Sequence, residues 1–217
     1  MTVDTAPRPE ARHDPRTAQQ RAYRDDGTLS RLLGGLAGGG MGPLAPTLLA
    51  GVLTAAVLVL GTRMENAAVL AAPAVLLLAL AGPTSAHPHG GRLDWLVPPL
   101  IRAIEYGYLA VLGFSQGVPR ALVYTLLAVL VYHHYDTVYR TRQGLWPPDW
   151  VYQAGLGWDG RTLIAAVAAL LGVTTPAYAV LALYLGVLFG WESVRTWLET
   201  ERGSTGAEVD LEEEAGA

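Results

Sequence analysis

The chain has 217 residues, 51% of them hydrophobic and only 16% charged, with a positive mean hydropathy. So few charges exclude an ordinary soluble domain of this length, and a net charge of −4 gives no electrostatic basis for a nucleic-acid partner. The absence of cysteine excludes disulfides and thiolate metal sites.

Residues 1–40 are polar, mixed in charge and proline-containing, with no apolar stretch of the kind a signal peptide needs. They read as a flexible tail that ends in the glycine-rich "GGLAGGGMG". Residues 41–200 hold the apolar segments 44–61, 67–82, 95–114 and 118–135, followed by a 29-residue block over 163–191. A bilayer core of ~30 Å needs ~20 helical residues, so each of the first four is a candidate span. The last block is too long for one span; Pro176 divides it into two helices joined by a short turn, with a single kinked helix as the rival. The expected fold is therefore all-α: six transmembrane helices, then an acidic disordered tail over 201–217 that carries five carboxylates between Glu208 and Glu214.

Arginine placement orients such a bundle. With six spans, the six tail arginines share a side with Arg92, Arg140, Arg142, Arg161, Arg195 and Arg202, twelve in all, against Arg63 and Arg120 opposite. This bias predicts a multi-pass protein of the cell membrane with both termini cytoplasmic.

The unusual polar residues fall on that cytoplasmic side. "YHHYDTVYR" (132–140) ends the fourth span, "HPHGGRLDW" (87–95) connects the second and third, "WPPDWVYQAGLGWDGR" (146–161) connects the fourth and fifth, and "WESVR" (191–195) ends the sixth. At 100° per residue Asp94 and Glu105 differ by only about 20°, and Arg102 is spaced to pair with Glu105. His133, Asp136 and Arg140 share a helix face, with His134 about 100° away. Ionisable groups at membrane depth are costly and tend to face a bundle interior, which points to a site for a water-soluble ligand. Asp94, Glu105, His133 and Asp136 are the candidate lining of that site, with Arg140 at its rim. Bland readings stand beside these: a structural Arg102–Glu105 pair, interfacial histidines, a solvated Asp149 and Asp159 as N-cap of the fifth helix. Trp146, Trp150, Trp158, Trp191 and Trp197 read as interface anchors, and His87 and His89 carry only a weak metal signal.

Six spans with a polar patch between the second and third resemble the CDP-alcohol phosphotransferases, whose motif is D-x2-D-G-x2-A-R-x8-G-x3-D-x3-D. Gly90 and Asp94 match its G-x3-D. The other aspartate positions fall on Pro73, Leu76 and Pro98, its first Gly on Leu77 and its Ala-Arg on Leu80 and Ala81. "RLDWLVPPLIRAIEYGYL", "YHHYDTVYR" and "GWDGRTL" resemble an actinobacterial family of uncharacterised membrane domains, some of them fused to nucleotidyltransferase and CDP-alcohol phosphotransferase modules. That resemblance implies a place in phospho-alcohol or phospholipid-headgroup metabolism and no established catalytic residues. Three readings follow. The chain is a membrane protein with a cytoplasmic-face site for a phosphate-ester or nucleotide-linked ligand, a phosphotransferase scaffold with migrated ligands; the resemblance then implies Asp94, Glu105, His133 and Asp136 as catalytic residues, Asp94, His133 and Asp136 as ligands of a divalent metal, and Arg140, Arg161 and Arg102 as phosphate-binding residues. Or it is an inactive scaffold or regulatory partner of an active phosphotransferase. Or it is a small-solute transporter. The expected surroundings are the lipid bilayer, with a homodimer or a partner phosphotransferase open, and the cofactor is either none or a divalent metal.

Overall fold

Each apolar segment becomes one helix, and the breaks fall at residues that cannot continue one. The computed structural model describes residues 15–215, and no strand occurs among them. Two short helices, α1 (Pro15–Arg24) and α2 (Thr28–Ala37), precede α3 (Leu44–Met64) and α4 (Ala67–Ala81). After 3-10 turns at Gly82–Thr84 and Asp94–Leu96 come α5 (Val97–Ser115), α6 (Arg120–Arg142), α7 (Asp149–Ala154), α8 (Gly157–Leu170) and α9 (Thr174–Ala215). Asn66 caps α4, its side chain accepting from the backbone N–H of Ala68 and Val69 at 2.9 and 3.1 Å. The 163–191 block does split into two helices. The break comes at Gly172, whose φ of +70° suits glycine, and Pro176 lies in the first turn of α9, where its missing N–H costs nothing.

α5 runs through the middle of the bundle, packing against α3, α4, α6, α8 and α9. Tyr108, Leu109, Leu112, Leu126, Leu130, Tyr178 and Leu185 fill the main core, and the Tyr178 hydroxyl donates to the Leu109 carbonyl at 2.7 Å. The outer faces expose Val52, Val59, Val75, Val131, Val167 and Val187, apolar side chains suited to lipid contact.

Three expectations change. Among the described residues four helices are long and apolar enough to cross a membrane, 44–64, 67–84, 94–115 and 174–198, where six were expected. α6 has 23 residues, but its last three turns carry His133, His134, Asp136, Arg140 and Arg142, which lower its hydropathy. α8 has only 14 residues, about 21 Å at 1.5 Å per residue. The chain is thus a helical protein of membrane type with four candidate spans. The second change is at the N-terminus. Residues 15–37, read as part of a flexible tail, form α1 and α2; α1 packs on α5 and α6, and α2 on α8 and the Gly82–Thr84 turn. Arg24, Asp25, Asp26 and Ser30 are buried by this packing. At the other end α9 continues as helix through Ala215, into the acidic stretch read as disordered.

Candidate functional site

Polar contacts join the end of α4, the start of α5, the end of α6, the start of α8 and the middle of α9, so the buried charges gather at one end of the bundle. Their centre is Asp25. It occupies a left-handed conformation (φ 48°) in the loop between α1 and α2, one that aspartate tolerates better than most residues. Arg161 Nη2 donates to Asp25 Oδ2 at 2.7 Å, and His134 Nε2 lies 3.1 Å from the same oxygen. Arg102 Nη1 is 3.8 Å from Oδ2, and His133 Nε2 is 4.0 Å from Oδ1. Glu105 forms the other pole: it accepts from Arg161 Nε at 2.7 Å and from Arg102 Nη1. Arg161 Nη1 adds a bond to the Gly155 carbonyl at 3.0 Å, and Arg102 Nη2 donates to the Arg24 carbonyl. The Tyr106 hydroxyl meets His134 Nδ1, and His133 stacks on Phe189 with ring centroids 3.7 Å apart. Burial alone would raise the Asp25 carboxyl; the Arg161 guanidinium and the two histidines outweigh it and hold the group well below its ordinary value.

Three further clusters surround this one. Arg24 donates from Nε to Asp26 Oδ2 at 2.8 Å, from Nη2 to Asp26 Oδ1 at 3.2 Å and to the Ala81 carbonyl at 3.1 Å, and from Nη1 to Thr84 Oγ1 at 3.2 Å. His89 Nε2 sits 3.3 Å from the same Nη1, and burial together with the Arg24 charge pushes its pKa down to about 4. Asp159 accepts from the backbone N–H of Gly27, Leu29 and Ser30 at 2.6, 3.0 and 3.0 Å, and from Ser30 Oγ at 3.1 Å. Gly27, the N-cap of α2, has no side chain to do this itself, so the cap comes from α8. Finally, Arg140 donates through both terminal nitrogens to Glu192 at 2.7 and 2.6 Å, while Asp136 Oδ2 lies 2.6 Å from Nη2.

The residues expected to form one site are therefore divided. Glu105, Arg102, Arg161 and His133 meet around Asp25. Asp136 and Arg140 are buried with Glu192, so Arg140 is no exposed rim for a phosphate. Asp94 stands apart, accepting from the Gly91 N–H at 2.8 Å with His87 Nδ1 3.7 Å away. Its projected alignment with Glu105 fails because α5 begins only at Val97; Asp94 lies in the preceding 3-10 turn, where 100° per residue does not apply. The metal set Asp94, His133 and Asp136 is accordingly not assembled; the described residues instead bring Asp25, His133 and His134 within reach of one ion. Asp159 lies in the first turn of α8 but caps α2. Trp158, read as an interface anchor, is fully buried and donates from Nε1 to Asp26 Oδ1 at 2.8 Å, whereas Trp146, Trp150, Trp191 and Trp197 are exposed. The side chain of Asp149 lies outside the described residues.

Two residues were missed. Asp25 sat in a segment with no hydrophobic period to mark it as packed; its only signal was the acidic pair before Gly27 and the "TLSRLL" amphipathic run. Glu192 was seen in "WESVR" without a partner to give it a role. Chemically, almost every charge at this end is already answered within the protein. Buried side-chain atoms left without a hydrogen-bond partner include Asp25 Oδ1, Arg102 Nε and Arg140 Nε.

Residues 16–216 match a family of unknown function (DUF5941). No curated protein and no solved structure matches the chain, and none of these comparisons links it to the CDP-alcohol phosphotransferases.

Proposed function

The match spans nearly all of the chain, so the chain belongs to this family of unknown function, and since membership brings no activity with it we propose one: a membrane-embedded scaffold or regulatory partner in phospho-alcohol metabolism, working at the cytoplasmic face without CDP-alcohol phosphotransferase turnover of its own. The observation that carries this reading is that the guanidinium forks suited to phosphate are filled by carboxylates. Glu192 occupies both terminal nitrogens of Arg140, and Asp25 and Glu105 occupy Arg161. A phosphate entering either fork must first displace a buried carboxylate, and breaking such a pair costs ~3–5 kcal/mol. The inherited two-metal geometry has no support either. Two divalent ions need several adjacent carboxylates, and Asp94 alone remains of the motif, committed to Gly91 and His87. The place in phospho-alcohol metabolism rests on sequence resemblance alone, that of "RLDWLVPPLIRAIEYGYL", "YHHYDTVYR" and "GWDGRTL" to membrane domains of which some are fused to phosphotransferase modules.

A second reading keeps the phosphate-ester or nucleotide-linked ligand, and one observation favours it: Arg102 is partly open to solvent and keeps a buried Nε without an acceptor. One experiment separates the two. The purified chain in detergent is given a CDP-alcohol and Mg²⁺, and CMP release and melting temperature are followed. The scaffold reading expects no CMP and no thermal shift. A shift that disappears in Arg102→Gln supports the ligand site, and steady CMP release that is lost in Asp94→Asn overturns the scaffold reading.

A further inference from the structure

We propose that Asp25, His133 and His134 form a three-ligand site for a single divalent transition-metal ion, which fastens the N-terminal segment onto α6. The inference goes beyond the scaffold reading and does not depend on it.

Its geometry is set by two elements that converge for separate reasons. The left-handed turn after α1 turns Asp25 inward, while His133 and His134 are successive residues of α6 that reach the same carboxylate from two sides. One ligand atom from each residue lies within 4.8 Å of the other two. Metal–nitrogen and metal–oxygen bonds of ~2.0–2.2 Å put tetrahedral ligand atoms roughly 3.4 Å apart, so the set must close by no more than about 1.5 Å. Side-chain rotation of Asp25 and the imidazoles provides movement of that size.

The second observation is the state of the carboxylate. Arg161 and His134 both bond Oδ2, and Oδ1 is buried with no hydrogen-bond partner, 4.0 Å from His133 Nε2. A buried carboxylate oxygen without a partner is costly, and a metal ion is the kind of group that satisfies it. The surroundings also match a metal ligand's outer shell. The Tyr106 hydroxyl sits at His134 Nδ1, where it fixes the ring and accepts Nδ1–H once Nε2 turns to the ion. Phe189 stacked on His133 fixes the other ring.

Two imidazoles and one carboxylate suit Zn²⁺, Fe²⁺, Mn²⁺ or Co²⁺ and do not suit Mg²⁺, which demands oxygen ligands. Charge bounds the rest of the coordination sphere. Asp25 and Glu105 match Arg102 and Arg161 one for one, so a divalent ion adds two positive charges to a buried cluster. At the remaining position a water-derived hydroxide would offset one of these charges and a dianionic oxyanion both.

The test uses the full chain without an affinity tag, purified in detergent, stripped with chelator and titrated with Co²⁺ and with Zn²⁺. One Co²⁺ per chain is expected, with the intense visible bands of a low-coordinate nitrogen–oxygen site, and Zn²⁺ should displace it and raise the melting temperature. His133→Phe keeps the ring stacked on Phe189 and removes only a ligand nitrogen; it should weaken Co²⁺ binding at least tenfold while the metal-free melting temperature stays near that of the parent. Tyr106→Phe should weaken binding about tenfold through the outer shell. If His133→Phe does not fold, His134→Gln is read by the same criterion. Absence of stoichiometric Co²⁺ binding by the parent, or unchanged affinity in the folded histidine variant, overturns the proposal.

Discussion

At the scale of single residues, the buried end of the bundle depends on acceptors supplied from far along the sequence. Asp159 is one. It satisfies three backbone N–H groups at the start of α2 that Gly27 cannot reach with a side chain. Asp159→Ala would strand those donors, and with charged bonds at ~1.5–3 kcal/mol and capping losses of ~0.5–2 kcal/mol, a destabilisation of about 2–4 kcal/mol is expected in thermal unfolding. Asp159→Asn, which keeps an acceptor oxygen, should recover part of it. His89 makes a prediction of opposite chemistry. Its Nε2 faces the Arg24 guanidinium as an acceptor, and burial together with that charge holds its pKa down at about 4, against 6.5 when unfolded. Between those values the unfolded chain binds the extra proton, so stability falls as pH drops from about 6.5 towards 4 and is fully retained above 6.5. At 1.36 kcal/mol per pH unit the loss cannot exceed roughly 3 kcal/mol. Urea or thermal unfolding across this window should show it, and His89→Gln, which has no proton to gain, should flatten the profile; an equal slope in the variant would assign the effect elsewhere.

At the scale of elements, the apolar helices were legible and the plug at their end was not. Segments of sixteen to twenty apolar residues with Asn66, Gly117, Pro119 and Gly172 between them leave little choice but helix and turn. α1 and α2 are amphipathic but too short to mark as packed elements, and what they and the loop between them bury is polar: Arg24, Asp25, Asp26 and Ser30 are held by charge and hydrogen bonds, while Leu29, Leu32 and Leu36 stay exposed. The candidate site was legible to the same degree. The i,i+3 pairing of Arg102 with Glu105 and the shared face of His133 and Asp136 could be read along one helix, whereas Arg140–Glu192 and Arg161–Asp25 are contacts between elements 52 and 136 residues apart. What α1 and α2 contribute is testable directly. Removing residues 1–30 takes away Asp25 and leaves Arg161 Nη2 and His134 without their partner. The broken Asp25 pair alone accounts for ~3–5 kcal/mol, the lost Asp26–Trp158 and Ser30–Asp159 bonds add to it, and a peptide of residues 15–30 should partly restore the melting temperature. A shortened chain that melts within a few degrees of the parent would mean that the segment only rests on the bundle.

At the scale of the whole molecule, the question is which side of the membrane the charged end faces. The arginine bias predicts the cytoplasm for it, and for both termini, which is the expectation to be tested. The helices α3, α4, α5, α6, α8 and α9 occupy the six places the sequence marks, though only four pass by length and apolarity. Because the chain has no cysteine, single cysteines at positions 3, 64, 117 and 205 can be labelled cleanly. The expected pattern is inside, outside, outside, inside; an external position 205 would show that α8 and α9 do not form a returning pair across the bilayer. The N-terminal plug adds a consequence in time as well as in space. During synthesis Asp25 leaves the ribosome before any of its partners, and Arg161 follows 136 residues later. The α1 contacts with α5 and α6 can form as those helices appear, but Asp25, Asp26 and the start of α2 stay unanswered until α8 brings Arg161, Trp158 and Asp159. A chain stopped before α8 would therefore hold this segment by one side only.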